Sequence, residues 1–226
     1  WIGLQARWLQ RAGTMALVIP AAALLYFGVW PRRVCGCASC CGGPDLHFAA
    51  SRRMSSDLFF EAPTALEYFA ALVADDASLS VLEAAVAVAQ DEYPQLDTQQ
   101  VLADVDELVH RLRRRIPADA SALQRLRLLN RYFFEELGFA GNVNNYYDAR
   151  NSYMPEVLRT RRGIPITLAL LYVEMATQLG LSASGVSFPG HFLVKLRMPR
   201  GEVIIDPFSG HSLSREELDE RLGPYK

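Results

Sequence analysis

Beyond Cys41 the sequence contains no cysteine at all; its four, Cys35, Cys37, Cys40 and Cys41, crowd into one seven-residue window. Everything downstream is therefore without a disulfide, a thiolate metal site or a cysteine nucleophile of its own. A basic excess is also lacking. The formal net charge is -2 in 226 residues, which gives no global signal for nucleic acid. The densest basic cluster, Arg111 and Arg113 to Arg115, is not interleaved with aromatic residues and reads as a solvated helix end rather than a nucleic-acid patch. Long apolar runs are scarce too. The one uncharged run of note, Gly13 to Trp30, has 18 residues with Arg7 and Arg11 before it and Pro31-Arg32-Arg33 after it.

That run has three readings: upstream sequence translated in frame with a start at Met54, a short membrane anchor, or a cleaved signal. Pro20 lies within it and no small-residue cleavage site follows clearly. The cysteine window can hold a soft metal or, beside a membrane, carry acyl chains. A second, separated pair of ligands is absent, so the expectation is an incidental cluster, no metal and no cofactor. Residues 1–53 hold six Arg and one Asp, whereas the remainder holds 17 basic and 24 acidic side chains. The two parts are different material. With half its residues hydrophobic and 21% charged, the chain has the composition of a globular protein with one sizeable core and an appendage.

From Met54 onward the pattern becomes regular. Thr64 to Glu67 and Ser80 to Glu83 are capping boxes, in which a hydroxyl and the carboxylate three residues on satisfy orphan amides at a helix start. Leu66, Phe69, Ala70 and Val73 recur at helical spacing after the first, and Leu82, Ala85, Val86 and Ala89 after the second, so each helix is expected to bury one face. Pro94 ends the second helix. Asp97 caps a third, running to about Arg115 with Val101, Leu102, Val105, Leu108, Val109 and Leu112 inward. A fourth, from about Ser121 to Leu137, carries Leu123, Leu126, Leu129, Tyr132, Phe133 and Leu137 and stops at Gly138. The stretch from Gly141 to Ser152 is rich in turn-forming side chains. Asn145, Tyr146, Tyr147, Asp148 and Asn151 either line a site or bond the loop's own backbone.

A short helix from about Tyr153 to Thr160 leads to Arg161-Arg162-Gly163. Pro165 suits the first turn of the next helix, where its missing amide is not needed. Ile164, Leu168, Leu171, Tyr172, Met175 and Leu179 make that helix apolar all round, which marks it as the central buried one. Thr167 and Glu174 are its polar interior residues. Strands follow at Ala183 to Phe188, Phe192 to Arg197 and Glu202 to Asp206, the last two joined by Met198-Pro199-Arg200-Gly201. If Arg197 pairs with Glu202, antiparallel register sets Leu193 opposite Asp206, with His191 two residues further on the same face. Their Cβ atoms are then ~7 to 8 Å apart, within reach of an imidazole–carboxylate bond. Ser214 to Glu217 is a third capping box, opening a final helix.

A carboxylate that orients an imidazole is the base half of nucleophilic catalysis, whose third member is a Cys or Ser at the start of a buried helix. The layout resembles transglutaminase-like (papain-related) domains, and counting back from Gly180 places the family's cysteine at Pro165. The strings Phe133-Phe134-Glu135-Glu136-Leu137-Gly138-Phe139, Asn145-Tyr146-Tyr147-Asp148, Asn151-Ser152, Gly163-Ile164-Pro165-Ile166-Thr167-Leu168, Phe188-Pro189-Gly190-His191-Phe192 and Ile205-Asp206-Pro207-Phe208, with Glu83 to Pro94 before them, closely resemble the bacterial SirB family of transglutaminase-like proteins. The resemblance spans residues 54–226. It implies an α+β fold: an N-terminal helical subdomain (54–118), then a transglutaminase-like core (119–226) with a small antiparallel sheet against a buried helix, residues 1–53 lying outside. It implies a regulatory role, and tetratricopeptide-type helices follow the core in the family. His191 and Asp206 take the catalytic positions.

Three functional readings follow. One is a non-catalytic module holding a protein segment or small ligand near His191, Asp206, Asn145, Tyr146, Tyr147, Asp148, Asn151 and Thr167. Another is a hydrolase or transferase with His191 as general base, oriented by Asp206, and Thr167 as a poorly activated nucleophile. The last is a purely structural pair. The expected partner is a protein or peptide, not nucleic acid, and the expected location is cytoplasmic, or membrane-anchored if residues 13–30 are a true anchor.

Overall fold

The computed structural model describes residues 63–225. The apolar run, the cysteine window and Met54 lie outside the described residues. Among the described residues no helix is long and apolar enough to cross a membrane.

Helix α1 (Ala65–Leu72) starts where its capping box sets it: the Thr64 hydroxyl accepts the Glu67 N–H at 3.2 Å and the Glu67 carboxylate accepts the Thr64 N–H at 2.9 Å. The expected buried face is not formed. No residue of α1 is buried, and Leu66 is 63% exposed. Periodicity specifies a face but not a partner. Among the described residues the helix meets α2 (Val81–Ala87) and the 3₁₀ turn after it (Val88–Gln90); Phe69 and Val73 are half-buried, and the Tyr68 hydroxyl donates to Glu83.

Helix α2 buries Leu82, Ala84, Val86 and Ala87, and α3 (Thr98–Arg113), capped by Asp97 accepting the Gln100 N–H at 3.1 Å, buries Val101, Val105, Leu108, Val109 and Leu112. Helix α4 (Ala122–Asn130) does not continue as α-helix to Leu137. It widens into a π turn (Arg131–Glu136), where the Leu137 N–H reaches back five residues to the Tyr132 carbonyl at 2.8 Å. The wider turn lets the consecutive Tyr132 and Phe133 both face inward, 3% and 0% exposed, whereas Leu123, expected inside, is 47% exposed. Phe133 stacks on Phe139 at 4.6 Å between centroids and meets Phe134 and Tyr172 edge-on. Such aromatic packing contributes about 0.5–1.5 kcal/mol per pair beyond area. It fixes the π turn against the central helix.

After β1 (Ala140–Gly141), a 3₁₀ turn (Ala149–Ser152), α5 (Met154–Thr160) and β2 (Arg162–Gly163) comes α6 (Pro165–Gln178), with Pro165 at its first position and Leu168, Ala169, Leu171, Tyr172, Met175 and Ala176 buried. β1 and β2 pair in parallel, Ala140 with Arg162 and Gly141 with Gly163. The main sheet is an antiparallel meander, β3 (Ser182–Phe188), β4 (His191–Met198), β5 (Gly201–Asp206) and β6 (His211–Leu213), in that order. Arg197 pairs with Glu202, as the turn length requires. β6 had no counterpart among the expected strands. Val194, Leu196 and Ile205 put one face of the sheet on α6, and these join the buried residues of α2, α3, α4, α5 and α6 in one apolar cluster. The fold is mixed α+β. Helices on both sides of residue 118 share that single core.

Candidate active-site frame

His191 opens β4 immediately after the Pro189-Gly190 turn, whose Gly190 is left-handed at φ 67°. Asp206 ends β5. Since Val194 faces Ile205, the next pair in register is Leu193 with Asp206, which leaves His191 diagonal to the carboxylate. The side chains meet: His191 Nε2 lies 2.8 Å from Asp206 Oδ1. In the neutral ring this contact places the proton on Nε2 and leaves the Nδ1 lone pair as the acceptor.

Asp206 is held on every side. Oδ1 also accepts the Phe208 N–H at 3.0 Å and the Ser209 N–H at 3.4 Å, while Oδ2 faces Arg221 Nη1 at 3.3 Å. Burial, with the side chain 5% exposed, favours the neutral acid. The hydrogen bond and charge of His191, with the bonds from Phe208 and Ser209, overcome it and hold the carboxyl well below its ordinary range, at about 2. The His191 side chain remains 21% exposed. The frame is thus an ionised, buried carboxylate behind an imidazole that reaches the surface.

The loop between β1 and α5 is brought to this pair by Phe208. Its ring lies edge-on to His191 at 6.0 Å and to Tyr146 at 5.9 Å, and Tyr146 in turn meets Tyr147 at 5.3 Å. Gly141 makes the approach possible: its N–H donates to the Phe208 carbonyl at 2.9 Å, and a Cβ there would lie 2.3 Å from the ring. Tyr147 is 95% exposed. The remaining expected loop residues are engaged in the loop itself. Asn151, buried, donates to the carbonyls of Asn145 and Tyr146 and accepts from Asn142. Asn145 Nδ2 donates to Asp148, and Asp148 accepts the backbone N–H and guanidinium of Arg150, whose side-chain bond is the main reason its carboxyl titrates below the ordinary value.

Thr167 is buried. It is 5% exposed, its hydroxyl lies 3.0 Å from the Asn151 carbonyl and 3.1 Å from that of Ile164, and its oxygen accepts the Ile164 N–H at 3.2 Å. It staples the start of α6 to the loop. Glu174, the other polar residue within α6 expected to face a site, accepts from Gln178 at 2.9 Å and borders a separate cavity of about 190 Å³ with Leu82, Val173 and Phe192. Pro165 is buried, and the residue two before it, Gly163, accepts the Asn142 N–H at 3.0 Å. The start of α6, the loop and Phe208 are therefore knitted together beside β1. Among the described residues no group of three or more His, Cys, Asp or Glu is placed to hold a metal.

Phe208 and Arg221 were not anticipated as site residues. Neither has a local signature: each reaches the pair only because the turn after β5 and the last helix, α7 (Arg215–Leu222), fold back on it. The chemistry available is an oriented imidazole able to accept a proton at Nδ1. The first turn of α6 supplies proline.

A UPF0162 protein of Xylella fastidiosa is 42% identical over 152 residues, which cover 67% of this chain and 54% of that protein. A UPF0162 protein of Pseudomonas aeruginosa is 34% identical over 143 residues, 63% of this chain and 52% of that one. F-box only protein 21 of Homo sapiens is 46% identical over 72 residues, 32% of this chain and 12% of its own length. The chain spans about half the length of the UPF0162 relatives it matches. No solved structure matches it. The model of the transglutaminase-like superfamily matches residues 99–226, more than half of the chain and the whole His191–Asp206 frame. The chain belongs to the transglutaminase-like superfamily.

Proposed function

We propose that the chain is a SirB-type, non-catalytic transglutaminase-like module that holds a protein segment in the former active-site cleft. The observation that carries this reading is Pro165. It sits where the resemblance places the nucleophile, at the buried first position of α6, and offers neither a nucleophile nor a proton. The nearby hydroxyl of Thr167 is occupied by backbone groups. Recognition is supported by the aromatic file of His191, Phe208, Tyr146 and Tyr147, which ends in a fully presented tyrosine. Exposed aromatic side chains are favoured anchors for a partner. The 72-residue segment similar to F-box only protein 21 forms a small part of that protein, which suits a module carried by larger chains. In this reading residues 1–53 lie outside the module, tetratricopeptide-type helices belong to the longer protein, and the module works in the cytoplasm.

The test is selection of displayed peptides on the full chain, followed by affinity measurement for Tyr147→Ala and His191→Ala. Selected peptides are expected to lose at least about tenfold in affinity on Tyr147→Ala, a surface change that spares the core. Binding indifferent to both substitutions overturns the reading. A second reading, general-base catalysis on water by His191, is favoured by the 2.8 Å contact to an ionised Asp206. Turnover of ester or amide substrates that vanishes in both His191→Ala and Asp206→Ala would establish it and remove the non-catalytic one.

A further inference from the structure

Arg161 closes α5 in the left-handed conformation, φ 59° and ψ 22°, and it is the only residue other than glycine with positive φ among the described residues. Glycine or asparagine fits such a C-terminal position with less strain. Among the described residues the arginine also has no ionic partner. Its guanidinium lies over the Phe139 ring, 4.7 Å from the centroid, and Nη1 is shielded from solvent with no hydrogen-bond partner among the described residues. A cation held this way is costly unless an anion completes it.

Its surroundings add positive charge rather than remove it. Arg111 comes from α3, Arg115 from just beyond its end, and Tyr132 from the π turn. Arg115 lies over the Tyr132 ring at 5.3 Å, and the Tyr132 hydroxyl stands in the field of Arg111, Arg115 and Arg161, opposed by Glu136. Burial first, and repulsion from Arg111 with it, pull the Arg161 guanidinium below its ordinary value. Two carboxylates answer: Glu107 pairs with Arg111 at 2.8 Å, and Glu136 bridges Arg115 and Arg131. Arg111, Arg115 and Arg161 against Glu107 and Glu136 leave a surplus of one positive charge, and Glu136 is shared with Arg131.

We propose that Arg161, flanked by Arg111, Arg115 and the Tyr132 hydroxyl, is a binding site for a phosphoryl dianion. Guanidinium forks match phosphate oxygens in shape and charge, and a phosphoryl dianion offers three acceptor oxygens where a carboxylate offers two. The site is distinct from the His191 frame but shares a strand with it. The Ala140 N–H donates to the Arg161 carbonyl at 3.1 Å, and the next residue, Gly141, donates to Phe208.

The experiment titrates the full chain with inorganic phosphate, phenyl phosphate and acetate at constant ionic strength held by chloride, reading calorimetric binding and the melting midpoint. Saturable phosphate binding is expected, with a raised midpoint and no comparable effect of acetate. Arg161→Gly, whose backbone suits the left-handed position, is expected to bind phosphate about tenfold more weakly or worse, the scale of one lost charge-assisted bond, with its far-ultraviolet circular dichroism unchanged. Arg111→Gln is expected to weaken it in the same direction and decides the matter if the glycine variant does not fold. Phenyl phosphate binding as tightly as phosphate assigns the site to a monoester; binding of phosphate alone assigns it to the free ion, and either supports the proposal. Phosphate acting no differently from chloride or acetate, or folded variants binding like the original chain, overturns it.

Discussion

Replacing Asp206 by asparagine removes the charge at the centre of the candidate frame while keeping its shape, and the consequence is a defined change in acid stability. The folded-state carboxyl titrates at about 2 against an ordinary 3.8. At about 1.4 kcal/mol for each pH unit between the two values, that difference contributes ~2 kcal/mol to the folded state wherever the carboxylate is ionised in both states. The sign follows from the direction: a depressed folded value means the unfolded chain takes up the proton first. The contribution is complete above about pH 5 and is lost as pH falls through 4 towards 2. Other carboxylates with lowered values, including Glu67, Glu107, Asp148 and Glu217, steepen acid unfolding in both proteins. The informative quantity is therefore the difference between the original chain and Asp206→Asn. Urea unfolding at intervals from pH 6 to pH 2.5 should show the original chain losing ~2 kcal/mol more than the variant across that window. Parallel curves would refute the account of Asp206 as an ionised, hydrogen-bonded anchor for His191.

Two further substitutions probe how the loop is held against that pair. Gly141→Ala places a Cβ 2.3–2.4 Å from three carbons of the Phe208 ring, so the ring must swing away; destabilisation of ~1–3 kcal/mol is expected in urea unfolding, with a shift of the His191 ring protons by nuclear magnetic resonance as Phe208 leaves them. An unshifted imidazole would show that Phe208 does not set its environment. Thr167→Val keeps the volume but removes the hydroxyl from Ile164 and Asn151. A cost of ~1–3 kcal/mol and faster amide exchange in residues 142–152 are expected, and unchanged exchange would contradict the stapling role.

Much of the fold is legible because its signals are local. The hydroxyl–carboxylate boxes at Thr64 and Ser214 and the cap at Asp97 place helix starts where they occur, and the four-residue turn after Met198 fixes the β4–β5 register. What the sequence does not reveal depends on partners. The periodicity of Leu66, Phe69, Ala70 and Val73 is real, yet no surface among the described residues buries it. The π turn needs the aromatic cluster of Phe139 and Tyr172 to draw Tyr132 and Phe133 inward together, and a strict helical period cannot express that. β6 is three residues long, too short for alternation to stand out. In the site, His191 and Asp206 follow from a two-residue period, whereas Arg221 and Phe208 follow only from folding back. The Asn and Asp side chains of the loop were equally suited to lining or to self-bonding, and Asn151 and Asp148 bond the loop.

The place of Pro165 connects these threads. The first turn of a buried helix is where a nucleophile benefits most, because the amide dipoles there stabilise a thiolate. It is equally the position proline fits best, since φ is preset and no amide is required. Proline can therefore stand at the nucleophile's position without a cost to the helix start, and the Thr167 staple and Gly163 contact hold that start in register with the loop. The acid–base half shows no parallel loosening: Asp206 is ionised, buried and contacted by four other residues. On the reading proposed above, a frame that keeps its oriented imidazole while placing proline at the start of the buried helix would keep the His191–Asp206 geometry without a covalent nucleophile beside it. That combination is the one the proposed recognition role draws on, and Tyr147→Ala and His191→Ala test it.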